Sequence, residues 1–336
     1  MQEISFKAGA RATMLLVMLL LVMLAAAGPG QEVQELSPPS PSATTFKALP
    51  LDGATRSNLV EAMGKRNYTA AEDLLAAEAT KNPKSQPLLL VLANVLFLDG
   101  KQLNSALVLK KAELLGPLDE RSRFLLALSY IAISRKNLAI PELEKLAQSN
   151  PSNAVYPYWL SRLAYRKTDL QLAFQYAEKA VRLDPGFMKA YDQLGLCHAG
   201  LNQTEEAIHA YKEAIRLNQQ QALHWPWPSM NLGTLLLRLN RLDEAEAHLR
   251  DSISIDPRFP VAHLRLGQLL EKKERYEEAI AELEQAARLD PTYPEPHYAL
   301  GRIYRKRKDV KRAETELGMF QELRKTDKLK GITRPD

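Results

Sequence analysis

Cysteine is almost missing from this sequence, because Cys197 is the only one among 336 residues. A single thiol cannot form an internal disulfide, and it cannot supply the paired cysteines of a structural zinc site. Its position between Leu196 and His198, inside a helical pattern, predicts a buried and inert thiol. HExxH, GxSxG and glycine-rich phosphate-loop motifs are missing as well. The sequence therefore predicts no enzyme activity, no cofactor and no metal ion.

Aromatic residues are also few, at 7%, whereas hydrophobic residues make up 46% and charged residues 25%. This balance is typical of globular proteins rich in Ala, Leu, Glu and Lys helices. The net charge is +5, but residues 302–336 alone carry twelve Lys and Arg against six Asp and Glu. A nucleic-acid-binding protein would spread its positive charge along the fold. We therefore expect no nucleic-acid partner.

No run of apolar residues reaches the roughly 20 that a helix needs to span a bilayer. The longest run, Met14–Ala27, has fourteen residues, follows Lys7 and Arg11, and ends in small alanines. These features predict a signal peptide over residues 1–27 and export to the periplasm or the exterior. An uncleaved N-terminal membrane anchor is the alternative. Residues 28–51 are rich in proline and serine and predict a flexible linker.

The sequence does contain a repeat with a period near 34 residues. Six prolines are separated by 34, 34, 34, 72 and 34 residues: Pro83, Pro117, Pro151, Pro185, Pro257 and Pro291. Glycines keep the same register: Gly195, Gly233, Gly267 and Gly301. Proline ends a helix, and glycine inside a helix costs about 1 kcal/mol relative to alanine. Four glycines in register therefore predict a place where two helices approach closely.

Each repeat has the pattern of two helices joined by a turn. The clearest copies are "YDQLGLCHAGLNQTEEAIHAYKEAIRLN", "HLRLGQLLEKKERYEEAIAELEQAARLDP" and "HYALGRIYRKRKDVKRAETEL". They resemble the tetratricopeptide repeat (TPR) family. The resemblance implies an all-α fold, an α-solenoid in which about eight helix–turn–helix units form a right-handed superhelix. His263 and His297 occupy the packing position of Tyr191, so we expect them to be buried or partly buried rather than metal ligands.

In this register the units begin near Asp52, Gln86, Glu120, Ala154, Met188, Pro226, Pro260 and Pro294. We divide the chain into degenerate N-terminal units over 52–119, a TPR array over 120–325 and a basic tail over 326–336. One interval is four residues longer than two repeats, which places an insertion near residues 219–226. Four residues make about one helical turn.

The insertion contains the segment "HWPWP", His224 to Pro228. We predict that the second helix of the fifth unit runs on by about a turn until Pro226 and Pro228 stop it and start the next helix. Trp225 and Trp227 would then fill the wider gap between the two units. A ligand contact, more plausibly made by Trp227, is the alternative.

The TPR resemblance also implies a concave groove, lined by the first helix of each unit, that holds extended peptides or partner helices. The corresponding positions are Tyr158, Arg162, Tyr165, Arg166, Trp227, Met230, Arg238, Tyr298, Arg302, Arg305 and Lys306. Aromatic faces beside arginines suit a peptide or another partner that carries carboxylates. Ordinary solvated helix surface is the alternative. One TPR subfamily clamps chaperone tails with a Lys/Asn pair, but Phe124 and Leu128 occupy those places, or Tyr158 and Arg162 in the next unit.

We therefore predict a non-catalytic protein–protein interaction scaffold of the cell envelope or exterior, with a peptide or partner protein in its groove. A membrane-associated structural spacer and an accessory subunit of an envelope assembly are the alternatives. Membrane contact is expected only through an uncleaved N-terminus or, weakly, through the basic C-terminal end, which includes "RKRKDVKR" (Arg305–Arg312). The sequence does not indicate an oligomeric state.

Overall fold

The computed structural model describes residues 43–330, and the side chains of residues 45–326. The predicted signal peptide and most of the predicted linker lie outside the described residues. The part described forms seventeen helices and no strand. None of these helices combines the length and the apolar content of a membrane span. The predicted all-α fold class is confirmed.

Helix α1 is Ala43–Lys47, and the other sixteen helices form eight helix–turn–helix pairs. The first four pairs are pair 1, α2 (Gly53–Gly64) and α3 (Tyr68–Lys81); pair 2, α4 (Gln86–Leu98) and α5 (Gln102–Glu113); pair 3, α6 (Glu120–Ala132) and α7 (Lys136–Ser149); and pair 4, α8 (Val155–Tyr165) and α9 (Leu170–Leu183). The last four are pair 5, α10 (Met188–Gly200) and α11 (Thr204–Gln220); pair 6, α12 (Trp227–Arg238) and α13 (Leu242–Ile255); pair 7, α14 (Pro260–Lys272) and α15 (Tyr276–Leu289); and pair 8, α16 (Pro294–Lys306) and α17 (Val310–Lys330).

The chain divides into two compact units between Glu142 and Leu143, within α7. The N-terminal unit contains pairs 1 and 2, α6 and the start of α7. The C-terminal unit contains the rest of α7 and pairs 4 to 8. Helix α4 is apolar almost all round, and its residues from Val91 to Phe97 are all buried, as expected for a helix enclosed by the core.

The turn within each pair is closed in the same way. One residue takes a positive φ, and the N–H of the next residue donates to the carbonyl five positions earlier, as Arg275 N does to Leu270 O at 2.9 Å. This is the Schellman motif. The positive-φ residues are Arg66, Gly100, Ser134, Thr168, Asn202, Asn240, Glu274 and Lys308. Gly100 is the one glycine in this group, so glycine is a poor marker of these turns.

The glycines of the repeat lie where the two helices of a pair approach closely, as predicted. A Cβ atom added to Gly267 would lie 2.6 Å from Leu283 Cγ and 3.2 Å from the carbonyl oxygen of Ala279. Pair 5 has an even closer contact, because a Cβ atom on Gly195 would lie 2.5 Å from the ring of Tyr211. The second helix therefore uses the space that a side chain would need.

The histidine position of the repeat is a buried hydrogen-bonding site in pair 7. His263 is 6% exposed, and its Nδ1 and Nε2 atoms lie 2.6 Å from Glu282 Oε2 and 3.1 Å from the Pro257 carbonyl oxygen. Burial alone would lower the pKa of His263, but its bonds to Glu282 and Pro257 outweigh burial and raise it. His297 makes the equivalent contact in pair 8, at 2.7 Å from Glu316. His263 is buried and His297 half-buried, as expected from their position, and each also hydrogen-bonds to the second helix of its pair.

The structure differs from the expected flexible linker at the N-terminal end of the array. Residues 43–51, predicted as part of a flexible linker, include helix α1 and bury Phe46, Leu49 and Leu51. The Arg56 side chain also donates to the Leu49 and Leu51 carbonyl oxygens, at 3.2 and 2.7 Å. The burial of these three apolar side chains and the bonds from Arg56 of α2 order the segment, which the proline- and serine-rich composition obscured. At the other end α17 continues to Lys330, into the predicted tail.

Helix α11 is longer than its counterparts, as the four-residue insertion predicted, with 17 residues against 14 in α9, α13 and α15. The prediction that Pro226 and Pro228 stop it is wrong. Helix α11 ends at Gln220, where Ala222 takes a positive φ and Leu223 N donates to Asn218 O at 3.1 Å. The backbone thus closes the helix before either proline. Pro226 and Pro228 belong to the start of α12 instead.

Candidate binding groove

The first helices of pairs 4 to 8, all within the C-terminal unit, pack one against the next from α8 to α16. Together with Arg166, directly after α8, they carry all eleven side chains that the sequence predicted as partner-binding residues. Six of these are exposed: Arg166, Arg238, Tyr298, Arg302, Arg305 and Lys306. Three are half-buried, Arg162, Tyr165 and Trp227, and two are buried, Tyr158 and Met230. We call the exposed face of these five helices the first-helix surface.

The burial of Tyr158 and Met230 corrects the expectation that they are open to a partner. Tyr158 is 6% exposed and its ring contacts Trp159 and Phe187, with centroids 5.6 and 5.1 Å apart. Met230 is 4% exposed and belongs to the main apolar core of the C-terminal unit. Both residues occupy a helix position that neighbouring elements cover, which a comparison of sequence positions alone does not detect.

Aromatic rings hold Arg162 in place on α8. Its guanidinium carbon lies 4.6 Å from the Trp159 ring centroid and 5.7 Å from that of Tyr158. Stacking of this kind is favourable for arginine and limits the conformations of a long side chain. Arg162 therefore presents its charge from a fixed position rather than from a flexible stem.

Arg302 and Lys306 neutralise a buried carboxylate. Glu271, the penultimate residue of α14, is 2% exposed and accepts a hydrogen bond from the Arg302 guanidinium. Lys306 Nζ lies 3.2 Å from the other carboxylate oxygen. Because a buried carboxylate needs opposite charge around it, these two cations have a structural role. Tyr298 beside them stacks on Phe320 of α17, with centroids 5.2 Å apart.

The first-helix surface also carries three cations that form no ion pair with any residue that the structure describes. Arg238, Lys272 and Arg305 are exposed and lie in the last turns of α12, α14 and α16. Positive charge at this end of a helix is favoured by the helix dipole, which explains part of the pattern. Lys272 is missing from the predicted site, although it lies 34 residues from both Arg238 and Lys306 in the sequence. The repeat spacing alone would have found it.

The two tryptophans of the insertion pack against different neighbours. Trp225 is half-buried and packs on Met188 and Leu217, with Lys189 Nζ 4.2 Å from its ring centroid. The Asn218 side chain fixes it, accepting from Trp225 N at 3.0 Å and donating to Trp225 O at 2.9 Å. Trp227 meets the ring of Phe259 edge-on, with centroids 4.8 Å apart. Trp225 thus lies at the joint between pairs 5 and 6, as predicted. Trp227 contacts the residue directly before α14 of pair 7, which differs from the predicted filling of that gap.

The one cysteine and the metal-binding residue types have the following positions. Cys197 is buried, and burial raises the pKa of its thiol to about 11. Residues 45–326, whose side chains the structure describes, contain no group of three or more His, Cys, Asp or Glu side chains placed to hold a metal ion. A cleft of about 420 Å³ opens beside α10 and α11, and it has an apolar floor that includes Tyr191, Leu194 and Ala210.

These observations define a helical-repeat protein made of stacked helix pairs. Four tetratricopeptide repeat models match the sequence, at residues 124–186, 188–221, 236–285 and 272–307, and together they cover about half of the chain. The unmatched residues between 221 and 236 include most of the insertion. The chain belongs to the tetratricopeptide repeat family.

Solved structures with the same fold include yeast Tom70, with a TM-score of 0.65, 18% sequence identity and coverage of 87% of this chain and 65% of Tom70. A tetratricopeptide repeat protein from Parabacteroides merdae has a TM-score of 0.61 and 14% identity, with 74% and 94% of the two chains covered. The Cut9–Hcn1 heterotetramer of the APC/C has a TM-score of 0.54 and 24% sequence identity, and the match covers 75% of this chain and 49% of that chain. These similarities show the fold alone.

One curated relative, anaphase-promoting complex subunit 3 of Schizosaccharomyces pombe, is 29% identical over 85 residues. This match covers 25% of the present chain and 12% of the subunit. The chain thus spans a small part of that relative and about half of the Cut9–Hcn1 chain that it matches. TPR repeats of this kind support a role in protein–protein interaction.

Proposed function

We propose that this protein is a non-catalytic, exported scaffold whose first-helix surface binds an extended, carboxylate-bearing segment of a partner protein. The observation that carries the proposal is the position of Arg238, Lys272 and Arg305. They are exposed on successive first helices, without ion pairs in the described part of the chain. Arg238 and Lys272 occupy equivalent repeat positions, and Arg305 directly precedes the next one, Lys306. Neighbouring packed helices lie about 8–10 Å apart, so an extended peptide that follows the C-terminal ends of these helices can reach all three cations.

Carboxylates suit this surface because the three acids of the five helices, Asp192, Glu271 and Glu295, are buried or half-buried and have partners. Glu271 is held by Arg302 and Lys306. Asp192 is buried and accepts a hydrogen bond from Asn231 Nδ2 at 2.9 Å. The cations that remain give an acidic segment both attraction and orientation, while side chains such as Tyr165 and Trp227 offer partly exposed aromatic faces beside them.

A labelled glutamate-rich peptide tests the proposal by fluorescence anisotropy with the full chain. We expect Arg238→Glu/Lys272→Glu/Arg305→Glu to weaken binding about tenfold or more at low salt, because three attractions become repulsions. Added salt should weaken wild-type binding, since exposed charges are screened. Arg302 is left unchanged in this variant because its loss would leave Glu271 buried without a counter-charge.

The matched control reverses three exposed cations of second helices: Lys212→Glu/Arg288→Glu/Lys311→Glu. It has the same net charge as the first variant, but its changes lie off the first-helix surface. We expect it to retain most of the affinity. Equal losses in the two triple variants would mean that net charge alone attracts the peptide, and equal affinity in all three proteins would exclude the first-helix surface.

Export is the second part of the proposal, and it is supported by the sequence of residues 1–27. Expression in a bacterial host followed by fractionation and N-terminal sequencing tests it. We expect a mature chain that begins near Gly28 in the periplasm or the medium. A full-length chain in the membrane fraction would favour the uncleaved anchor instead, and a full-length chain in the cytoplasmic fraction would contradict export.

A further inference from the structure

The two most exposed leucines of the described chain lie on α5 or directly after it. Leu114 is 87% exposed and Leu107 is 61% exposed, and Leu103 on the same helix is 42% exposed. At 100° per residue, these three side chains point within about 40° of one another. We call Leu103, Leu107 and Leu114 the leucine stripe. Contiguous apolar surface of this kind marks a place that meets another molecule or a membrane.

The fold of the N-terminal unit does not need the leucine stripe. The residues that α5 buries are Ser105, Ala106, Leu109 and Ala112, and the helix packs through them on α4 and α6. At 100° per residue this buried face is centred on the opposite side of the helix from the stripe. Helix α5 is therefore apolar on two faces, and only one of them belongs to the core.

The other second helices have no leucine at these positions. The residues that correspond to Leu103 are Thr69, Asn137, Gln171, Glu205, Asp243, Glu277 and Lys311. Those that correspond to Leu107 are Asp73, Pro141, Gln175, His209, Ala247, Ala281 and Thr315. Those that correspond to Leu114 are Thr80, Gln148, Arg182, Arg216, Ser254, Arg288 and Glu322. The stripe is thus a departure from the repeat and not a property of it.

The polar residues around the stripe are mainly lysines. Lys110 lies between Leu107 and Leu114 on the same face, and Lys111 flanks it, both exposed. The one acid of α5, Glu113, is half-buried and is paired with Lys110 and, at 3.4 Å, with Arg123. Because Glu113 offsets Lys110, the surplus positive charge beside the leucines on the outward side of α5 is that of Lys111.

We infer that the outward side of α5 docks on the surface of an anionic lipid bilayer. Helices with leucine on one strip and lysine beside it lie in the interface, with the apolar side chains among the first acyl carbons. The lysine stems reach along them and place the ammonium groups at the level of the lipid phosphates. A bilayer offers acyl chains and anionic headgroups on one surface, which matches both halves of this side of α5. This contact is additional to the N-terminal and C-terminal contacts expected from the sequence.

A fluorophore on Asn104→Cys tests the inference in the full chain. Asn104 is exposed and adjoins the stripe, and the buried native Cys197, whose thiol has a raised pKa, should stay unlabelled. With phosphatidylglycerol vesicles we expect a blue shift of an environment-sensitive dye and quenching by brominated acyl chains. Phosphatidylcholine vesicles should give a several-fold smaller response, because they lack net negative charge.

The same label on Gln175→Cys, an exposed position of α9 that corresponds to Leu107, is the matched control. A local readout is needed because the apolar run Met14–Ala27 could itself bring the chain to vesicles. We expect quenching at residue 104 and not at residue 175. In the Asn104→Cys chain, Leu103→Gln/Leu107→Gln/Leu114→Gln should abolish quenching at residue 104. An unchanged circular dichroism spectrum would show that this variant is still folded.

Three results would overturn the inference. They are no acyl-chain quenching at residue 104, equal quenching at residues 104 and 175, and quenching that survives the loss of the three leucines. Equal quenching at the two positions, or quenching without the leucines, would mean that another segment holds the chain at the membrane. No quenching at residue 104 of a folded chain would leave a protein partner as the occupant of the stripe.

Discussion

Pair 2 of the N-terminal unit and pair 7 of the C-terminal unit have the same backbone plan but different residues at equivalent positions. Where the helices approach closely, pair 2 has Ala93 and pair 7 has Gly267. The positive-φ residue of the turn is Gly100 in pair 2 and Glu274 in pair 7. The packing position of His263 is held in pair 2 by Leu89, which is 2% exposed. The shared plan thus requires a small residue at the close approach and a positive φ in the turn, whereas the polarity of the packing position can vary.

The largest expected effect comes from changing Gly267 to the alanine that pair 2 has. A Cβ atom there would meet Leu283 at 2.6 Å and the Ala279 carbonyl oxygen at 3.2 Å, so the helices must move apart. We expect Gly267→Ala to lower the free energy of unfolding by about 2–3 kcal/mol, measured by urea denaturation. In the Gly267→Ala chain, Leu283→Ala should lower the free energy of unfolding by less than it does in the wild-type chain. Strictly additive losses would show that the contact between residues 267 and 283 is not the cause.

The second prediction concerns the buried polar pair that pair 2 lacks. Glu282→Val leaves His263 Nδ1 buried without its partner, and we expect a loss of about 1–3 kcal/mol in the free energy of unfolding. His263→Leu/Glu282→Val gives pair 7 the apolar residues that pair 2 has at these two positions, Leu89 and Val108, and should recover most of the loss. A double variant as unstable as the single one would mean that the site requires polar side chains.

The pH dependence of the same pair has a defined sign. The pKa of His263 is raised in the folded state, so its contribution to stability is complete below the ordinary histidine value of about 6.5. This contribution is lost as the pH rises through the folded-state pKa. The stability difference between the wild type and the His263→Leu/Glu282→Val chain should therefore shift against the wild type from pH 6 to pH 8. A shift in the opposite direction would contradict the hydrogen bond to Glu282.

The turn within each pair should give a smaller effect, near 1 kcal/mol. Glu274 has a φ of 60°, a conformation that costs a non-glycine residue roughly 1–2 kcal/mol. We expect Glu274→Gly to raise the free energy of unfolding by about 1 kcal/mol and Gly100→Ala to lower it by a similar amount. Urea denaturation of both single variants compares the two turns directly. Equal signs for the two changes would rule out backbone strain as the dominant cause.

The smallest expected effect is at the leucine stripe. Leu107→Gln and Leu114→Gln should each change the free energy of unfolding by less than about 0.5 kcal/mol, since neither side chain belongs to the core. Ala281→Gln in pair 7, at the position of Leu107, is the control. A loss well above 1 kcal/mol at Leu107 alone would mean that a folded part of this chain covers the stripe.

Much of the fold was predictable because the repeat constrains residues through close packing. Gly267 and Ala279 recur because a larger side chain would not fit, so their spacing locates both helices of a pair. The turns were harder to locate, since Glu274 and Ser134 carry no preference that identifies a positive φ. The sequence predicted which helices carry the candidate site and which of its residues are charged, but not which of its side chains are exposed. Tyr158 is buried and Arg302 is paired with Glu271 because of neighbours that lie about a whole repeat away in the chain.

The Schellman closure also provides one protected backbone amide in each pair, at a regular interval along the chain. These amides belong to Asn67, Lys101, Arg135, Asp169, Gln203, Arg241, Arg275 and Asp309. Under native conditions, the rate at which each of them exchanges its hydrogen for deuterium measures how often its own pair opens. Because repeats are stabilised by their immediate neighbours, exchange should be fastest at Asn67 and Asp309 and slower inward. Eight amides would thus give a profile of local stability along the array.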